Sequence, residues 1–366
     1  MSSPKLRDTW YNDHAKTWKS DALATLEVRM CSPMTRQLRA AIWGLVSAVV
    51  ASLASAPAAE RIVASERAGE IRYERGMVIK ADGGGFRNIV GTRTVPMEWP
   101  DQQSVRVVKE ELPPGATITY STLEDVGRQM LVKIPFLAAG RETRVVVTFA
   151  IQPLPTNPLA DPAALRMPAA SALDRKLSAY LAPSPFSESD DPGVRQMAEE
   201  VASGQTIAWE KVQAIHAWVK QNVKFTPSAG KERGAAQTLR TRTTSDEADP
   251  KSLAVALCRA QGIPARLVVI ARPGGSDHCY FEFCLADADG DGHWLAADAT
   301  VEASLWPAKA ARSVVLQKGD NVTIIDPQSK RRVKHRFLAD SLQGMPQVRD
   351  ARLQLQLISR VVETSP

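Results

Sequence analysis

The side chains of this sequence that could carry thiol chemistry are four cysteines and five histidines. A cysteine becomes a strong nucleophile when an imidazole lies beside it, and His278 is followed directly by Cys279. Successive side chains of a strand point to opposite faces, so in the strand-like segment HCYFEF we expect Cys279 to face away from His278. Cys284 has the parity of His278 but should lie ~20 Å further along the strand. Both cysteines, like Cys258, are therefore interpreted as small buried apolar residues.

A second set of residues falls in an order that one protein family shares. The phrase AVALCRAQGIPAR (254–266) is typical of a helix end followed by a strand, His278 opens the next strand, and Asp298 follows in HWLAADAT. This order resembles the transglutaminase-like core, a papain-type thiol fold, over about residues 193–305. The resemblance implies an α+β core in which His278 and Asp298 are two members of a catalytic triad. It also implies cleavage or cross-linking of amide bonds through a thiol intermediate.

The position of the nucleophile is where the sequence departs from this family. Counting back from Arg259 in the phrase CRA places the family's cysteine at Glu247. A carboxylate is a poor nucleophile toward an amide, and beside His278 it favours a static ion pair over an acylating dyad. Cys258 cannot replace the thiol, because it is eleven residues later and thus ~16 Å further along a helix. We expect Glu247, His278 and Asp298 to converge without forming a thiol site.

The helix that should position Glu247 has two alternative starts. Asp249 and Pro250 are a favourable N-cap and first helical residue, and this start leaves Glu247 in the preceding loop. If the helix instead starts at Asp246, Pro250 removes an early backbone hydrogen bond. In either case Glu247 lies near the positive end of the helix dipole, which favours a carboxylate. His216, on an earlier predicted helix, is interpreted as a surface or partly buried residue away from the site.

A possible metal site is indicated by the run DADGDGHWLAAD (287–298), which has the calcium-loop spacing Asp-x-Asp-x-Asp-Gly with an acid at the twelfth position. Asp287, Asp289 and Asp291 would be the ligands. The flanking segments are predicted as strands, however, and not as the helices that usually border such a loop. The alternative is a solvated hairpin turn, where Asp and Gly are the expected residues. Apart from this calcium ion, no cofactor is predicted.

The amino-terminal region has the pattern of a secretory signal peptide. MTRQLR (34–39) is basic, AAIWGLVSAVVASLA (40–54) is apolar, and SAPAA (55–59) supplies small residues for cleavage. We predict a leader at 1–59 with the signal peptide at about 34–59, translation from Met30 or Met34, and a secreted or periplasmic protein. The alternative is an uncleaved anchor that holds the protein in a membrane.

The remaining chain divides by its pattern into four parts. Residues 60–152 contain short β-branched runs separated by turn signals, which predicts a β-sandwich domain. Its phrase MEWPDQQSVRVV resembles the first domain of some bacterial secreted transglutaminase-like proteins. The proline-rich segment 153–192 predicts a linker, and 193–312 is the predicted transglutaminase-like core. Residues 313–366 predict strands that extend the sheet or return to the first domain.

The charge distribution gives no indication of a nucleic-acid partner. The net charge is +6, and residues 1–59 hold seven Lys/Arg and four Asp/Glu, so the rest of the chain carries only +3. The basic run KRRVKHR (330–336) is interpreted as a solvated strand face.

Three classes of function remain for such a chain. The first is a catalytically inactive transglutaminase-like protein that uses the cleft to bind a peptide or a protein partner. The second is an active amide hydrolase or acyltransferase with altered chemistry, for example with Glu247, His278 and Asp298 holding a metal that activates water. The third is an assembly or surface protein in which the core is only a structural module. The first is the prediction, and the other two are its alternatives.

Overall fold

A computed structural model describes residues 69–123, 125–154, 161–169, 173, 175–226, 233–271, 277–301, 313–325 and 331–364 of the chain. The predicted signal peptide and Cys31 lie outside these residues. Within them, no helix is long and apolar enough to cross a membrane.

The first part of the described chain is entirely β. Its strands are β1 (Ile71–Asp82), β2 (Phe86–Val95), β3 (Gln103–Glu111), β4 (Thr117–Leu123), β5 (Gly127–Leu137) and β6 (Glu142–Pro153). In β1, Tyr73, Met77 and Ile79 share one face and are fully buried, as the period of two in a strand requires. They pack against side chains of β2 and β5, such as Ile89 and Met130, so that two sheets enclose one apolar core. This is the sandwich arrangement predicted from the sequence.

A short 3₁₀ helix (Pro162–Ala164) and a set of helices follow. They are α1 (Arg175–Ala179), α2 (Pro192–Val201), α3 (Ala208–Asn222), α4 (Gly234–Thr241) and α5 (Ala248–Ala260). Asp191 is the N-cap of α2, accepts from the N–H groups of Gly193 and Val194, and precedes a proline that suits the first turn. Almost every residue of α5 is buried, because α2, α3, α4 and the strands of the core surround it.

The remaining strands complete the sheets. They are β7 (Lys224–Phe225), β8 (Thr243–Thr244), β9 (Ala265–Ala271), β10 (Asp277–Ala286), β11 (Gly292–Ala297), β12 (Val314–Lys318), β13 (Val322–Ile325), β14 (Arg332–His335), β15 (Ser341–Pro346) and β16 (Arg352–Thr364). The helices and the two large antiparallel sheets confirm the predicted α+β fold class.

The carboxyl-terminal strands resolve an alternative that the sequence left open. One sheet has the order β16-β1-β6-β3, and the other runs β11-β10-β9-β12-β5-β2-β15 with β4 added to β5. Thus β12 joins the core strand β9 to the sandwich strand β5, while β15 and β16 return to β2 and β1. Both expected behaviours occur, and one sheet continues from the sandwich into the core.

Candidate active site

Helix α5 begins at the residue after Glu247, which is its N-cap. The cap and the first helical residue, Ala248, therefore lie two residues before those predicted at Asp249 and Pro250. This start is fixed by Asp246, whose Oδ1 accepts from the N–H of Ala248 at 2.7 Å. Pro250 is the third helical residue, where a backbone N–H has no partner inside the helix, so it does not interrupt the helix. The structure thus presents Glu247 at the positive end of the dipole of α5.

Buried Asp249 ties the loop that carries Glu247 to helix α4. Its carboxylate accepts from the N–H groups of Arg233 and Gly234 at 3.2–3.3 Å and from Thr244 Oγ1 at 2.8 Å. Two backbone donors at the start of α4 and one side chain therefore hold this first-turn acid in place.

Arg336 is a second anchor of the same loop and comes from the carboxyl-terminal part of the chain. Its guanidinium donates to Asp249 Oδ1 at 3.1 Å, to Ser252 Oγ at 2.9 Å and to Asp246 Oδ2 at 3.2 Å. Residues 332–334 are exposed, as expected for a solvated strand face, but Arg336 is buried. The interpretation of the basic run was therefore wrong at Arg336, because the long-range contact with the α5 loop is not visible in the local pattern.

His278 is the second residue of β10, and the residue before it is clamped from the sandwich. Buried Arg75 of β1 donates Nη1 to Asp277 Oδ1 at 2.7 Å and Nη2 to Asp277 Oδ2 at 2.8 Å. The same guanidinium donates Nε to the carbonyl of Thr94 at 2.9 Å. A bidentate arginine–carboxylate pair fixes orientation as well as distance, so the start of the His278 strand is held against the first domain.

Asp298 follows β11 and is oriented by its own turn and by helix α3. Its Oδ1 accepts from Thr300 N at 2.9 Å and from Thr300 Oγ1 at 2.6 Å. His216 Nε2 lies 3.0 Å from the carbonyl oxygen of Asp298 and 2.8 Å from that of Val301, so this nitrogen donates. Burial lowers the pKa of His216, and the ring is neutral near pH 7.

The position of His216 contradicts the prediction that this residue lies away from the site. It is buried, and it supports the backbone of the acid that orients His278. Its position beside the apolar stripe of α3 was the available sequence signal, since a histidine at the edge of a buried face needs a hydrogen-bond partner.

The structure brings Glu247, His278 and Asp298 together. His278 Nε2 lies 2.8 Å from Asp298 Oδ2, and His278 Nδ1 lies 3.3 Å from Glu247 Oε1. The first contact is a hydrogen bond, whereas the second is close but not aligned as one. The side chains of His278 and Asp298 are 9% and 5% exposed, while that of Glu247 is 51% exposed. Glu247 is therefore the solvent-facing member of the group.

A fourth charged residue, Lys251, was not predicted from the sequence. It follows Glu247 by one helical turn, its side chain is 0% exposed, and Nζ lies 3.8 Å from Asp298 Oδ1. A lysine in a helix that is otherwise buried was the signal that could have revealed it.

The three central groups change one another's pKa values. Burial lowers the pKa of His278, but hydrogen bonding to Asp298 and then the Glu247 carboxylate outweigh this, and its pKa is raised. For Asp298, burial acts upward, yet His278, Lys251 and Thr300 hold the pKa far below its usual range. Burial likewise raises the pKa of Glu247, but His278 and Lys251 lower it more, so its pKa is lowered. The site favours a protonated imidazole between two carboxylates.

The three cysteines of the described residues are free and buried. Burial raises the pKa of Cys258 to about 12, that of Cys279 to about 12 and that of Cys284 to about 11. These thiols remain protonated at neutral pH, and the thiolate is the reactive form. This agrees with their interpretation as small buried apolar residues.

The predicted calcium ligands form a hairpin turn between β10 and β11. Asp287 Oδ1 accepts from the N–H groups of Asp289 and Asp291 at 3.0 and 2.9 Å, and Asp287 Oδ2 pairs with His293 Nε2 at 2.7 Å. Asp287 thus accepts from its own turn, which is the expected behaviour of Asp in a tight turn. In the part of the chain that the structure describes, no group of three or more His, Cys, Asp or Glu side chains is arranged to hold a metal ion. The residues therefore do not fit the predicted calcium site, nor a metal held by Glu247, His278 and Asp298.

Comparisons with known proteins identify the core. The sequence model of the transglutaminase-like superfamily matches residues 195–299. A proposed cysteine protease from Cytophaga hutchinsonii has a similar structure, with a TM-score of 0.52 and 18% identity over 81% of this chain and 93% of that one. The periplasmic domain of TgpA from Pseudomonas aeruginosa gives a TM-score of 0.31 and 16% identity over 64% of this chain and 89% of that one. No curated protein matches the chain. Residues 195–299 are thus a transglutaminase-like core, which confirms the resemblance seen in the sequence.

Proposed function

We propose that this transglutaminase-like protein is catalytically inactive and that it uses the cleft at Glu247 and His278 to bind a peptide or a protein partner. The observation that carries the proposal is the contact of Glu247 Oε1 with His278 Nδ1 at 3.3 Å. A carboxylate therefore lies beside the imidazole, and the order of the sequence motifs supports this as the position where the family carries its thiol.

The chemistry of the substitution supports the loss of activity. Acyl transfer needs a nucleophile that the imidazole can deprotonate, whereas the pKa of Glu247 is already lowered and the carboxylate has no proton to give. Hydrogen bonding to Asp298 and the contact with Glu247 raise the pKa of His278, which favours a charge-paired imidazolium over a free general base. Cys258, Cys279 and Cys284 are buried with strongly raised pKa values, so none of them supports a replacement nucleophile.

The retained geometry supports a binding role. His278 keeps a 2.8 Å hydrogen bond to Asp298. Arg75 and Arg336 bind carboxylates of the flanking segments, and His216 binds the backbone of Asp298. The half-exposed Glu247 gives a ligand access to this charged group from solvent. A buried charge without a complete set of partners costs stability, so such a group favours a role in binding.

Two assays test the inactivity of the purified protein. Amine incorporation into a glutamine donor and cleavage of a peptide library are each measured with and without a thiol blocker. We expect background rates in all four conditions, since loss of a nucleophile lowers such rates by several orders of magnitude. Turnover that the blocker abolishes would overturn the proposal and would show that another cysteine reaches the site.

We also propose that the protein is exported from the cytoplasm. The pattern at residues 34–59 supports export and cleavage, which gives a secreted or periplasmic protein, and retention of the apolar run would instead anchor it to a membrane. Fractionation of expressing bacteria, with the amino terminus of the product sequenced, distinguishes these outcomes. A full-length product in the cytoplasm would contradict both.

A further inference from the structure

Lys251 is a buried ion whose partners are incomplete. Its Nζ is inaccessible to solvent, has no hydrogen-bond partner among the described residues, and has Asp298 Oδ1 as an ion-pair partner at 3.8 Å. Lys318 shows how the same chain satisfies a buried lysine, since its Nζ donates to both Asp101 oxygens at 3.2 Å and lies 5.0 Å from the centre of the Trp99 ring. An unsatisfied ammonium costs free energy, so its presence beside the cleft requires an explanation.

A second buried nitrogen without a hydrogen bond belongs to His278. His278 Nδ1 is buried and makes no aligned hydrogen bond among the described residues, although Glu247 Oε1 is 3.3 Å away. The backbone N–H of Cys279 also faces the Glu247 carboxylate, and the charge of Lys251 acts on it. Together with the amino terminus of α5, these groups expose the Glu247 carboxylate to positive charge and N–H donors.

We propose that Lys251 and His278 form a carboxylate-binding site, that Glu247 occupies it as an internal ligand in this structure, and that a carboxylate of a bound peptide replaces Glu247. The inference rests on the proposed binding function and names the chemistry of its ligand. Glu247 is suited to such an exchange because its side chain is 51% exposed and its contact with His278 is misaligned. Rotation into water leaves its charge hydrated, so the exchange does not bury an unpaired carboxylate.

The local charge selects a monoanion. When its ring is protonated, His278 together with the Lys251 side chain outnumbers the buried Asp298 carboxylate by one charge, which Glu247 or its replacement neutralises. A dianion such as a phosphate group would add an unmatched negative charge near Asp298, and like charges at short distance are unfavourable. A peptide can supply a carboxylate from its carboxyl terminus or from an Asp or Glu side chain.

The experiment uses the full-length protein with Glu247→Ala, which empties the position but keeps the donors. Sodium acetate is titrated while the ring signals of His278 are followed by NMR. We expect saturable binding that is at least about tenfold tighter than to the wild type, because Glu247 no longer competes for the site. Three related peptides then distinguish the source of the carboxylate. The first has a free carboxyl terminus, the second is the carboxyl-terminal amide of the same sequence, and the third is that amide with one residue replaced by Glu.

Lys251→Met in the Glu247→Ala background tests the lysine itself. We expect acetate binding to weaken at least about tenfold, since the charge partner of the carboxylate is gone. Lys318→Met in the same background is the matched control, because it removes a buried lysine that pairs elsewhere. Lys251→Gln is measured as well, and thermal unfolding of each variant verifies that it is folded.

Two results would overturn the inference. One is the absence of saturable acetate binding to the folded Glu247→Ala protein. The other is binding that both Lys251 variants leave unchanged. Neither depends on turnover, so the proposed inactivity and the carboxylate site can each fail without the other.

Discussion

Two groups of buried charges, one near each end of helix α5, differ in how completely they are hydrogen-bonded. At the carboxyl-terminal end, Arg259 donates to Asp320 at 2.6 Å, to the carbonyl of Ala265 at 2.7 and 2.9 Å and to Ser184 Oγ at 2.7 Å. Ser184 Oγ in turn donates to the second oxygen of Asp320. At the amino-terminal end, Lys251 Nζ and His278 Nδ1 are buried without a hydrogen bond among the described residues.

This difference in hydrogen bonding distinguishes an ion pair that stabilises the fold from a group of charges that can bind a ligand. A buried pair supports the fold only when its hydrogen bonds are complete, as they are around Arg259. Charges with unused donors cost stability, and such groups concentrate where a ligand or a reaction makes use of them. The comparison therefore assigns stability to the Arg259–Asp320 pair and function to Lys251 and His278, while the buried Arg336–Asp249 pair at the amino-terminal end supports the loop that carries Glu247.

Arg259→Met should cause the largest loss of stability. It leaves the buried Asp320 carboxylate without its cation, and breaking such a pair typically costs about 3–5 kcal/mol. The free energy of unfolding in urea measures the loss. A decrease below about 1 kcal/mol would remove the distinction between the two groups of charges.

His216→Ala should have an intermediate effect, because His216 belongs to the satisfied scaffold behind the site. The carbonyls of Asp298 and Val301 lose a common donor, which costs about 1–3 kcal/mol for buried groups. Urea unfolding measures this cost. Unchanged stability would show that water replaces the imidazole, and the scaffold role of His216 would be wrong.

The charge state of His278 gives a pH dependence with a defined sign. Its folded pKa is raised, so its stabilising contribution is complete below its unfolded value of ~6.5 and is lost as the pH rises through the folded pKa. Glu247 and Asp298 have lowered pKa values, so their contributions are complete above ~4.3 and are lost as the pH falls through the folded values. The site should stabilise the fold most between about pH 4.5 and 6.5.

Glu247→Gln tests this charge coupling directly. It removes one of the two carboxylates that raise the pKa of His278, so an NMR titration of the ring should show a lower pKa than in the wild type. The pKa should fall further in Asp298→Asn, whose hydrogen bond is the larger cause. An unchanged value in Glu247→Gln would mean that the 3.3 Å contact carries no charge coupling.

Lys251→Met should have the smallest effect on stability. The ammonium makes no hydrogen bond among the described residues, and an apolar side chain of similar volume often replaces a buried ion without loss. We expect the free energy of unfolding to fall by no more than about 1 kcal/mol. A loss of about 3 kcal/mol, as for Arg259→Met, would show that Lys251 is a structural ion and not part of a site.

The sequence predicted the parts of the site that local spacing encodes. The order of helix phrase, histidine strand and aspartate turn located Glu247, His278 and Asp298, and the cysteines of β10 are buried as their residue type indicated. The contributions of Arg75 and Arg336 could not be predicted in this way. They reach the site from positions 202 and 90 residues away from their partners, and no local periodicity records such contacts.

For Lys251 and His216 the local sequence indicated a special position, but it could not decide whether each side chain is buried. Lys251 lies one turn after Glu247 on the same face of α5, but its burial depends on how α5 packs against β10. His216 adjoins the apolar stripe of α3, and whether it faces water depends on the loop after Asp298. The calcium pattern of 287–298 had the right spacing but lies in a hairpin, where Asp287 accepts hydrogen bonds from its own turn.

The central claim is that a carboxylate occupies the nucleophile's position of an otherwise complete site, and Glu247→Cys tests it most directly. The introduced thiol would lie beside His278 and Lys251 at the amino terminus of α5, all of which lower a thiol's pKa. Iodoacetamide labelling is followed by mass spectrometry of each cysteine-containing peptide, with the wild type as control. We predict labelling at position 247 at least about tenfold faster than at buried Cys258, with a pH midpoint below the ~8.5 of a free thiol. Equal rates at the two positions, or a midpoint at or above that of a free thiol, would contradict the claim.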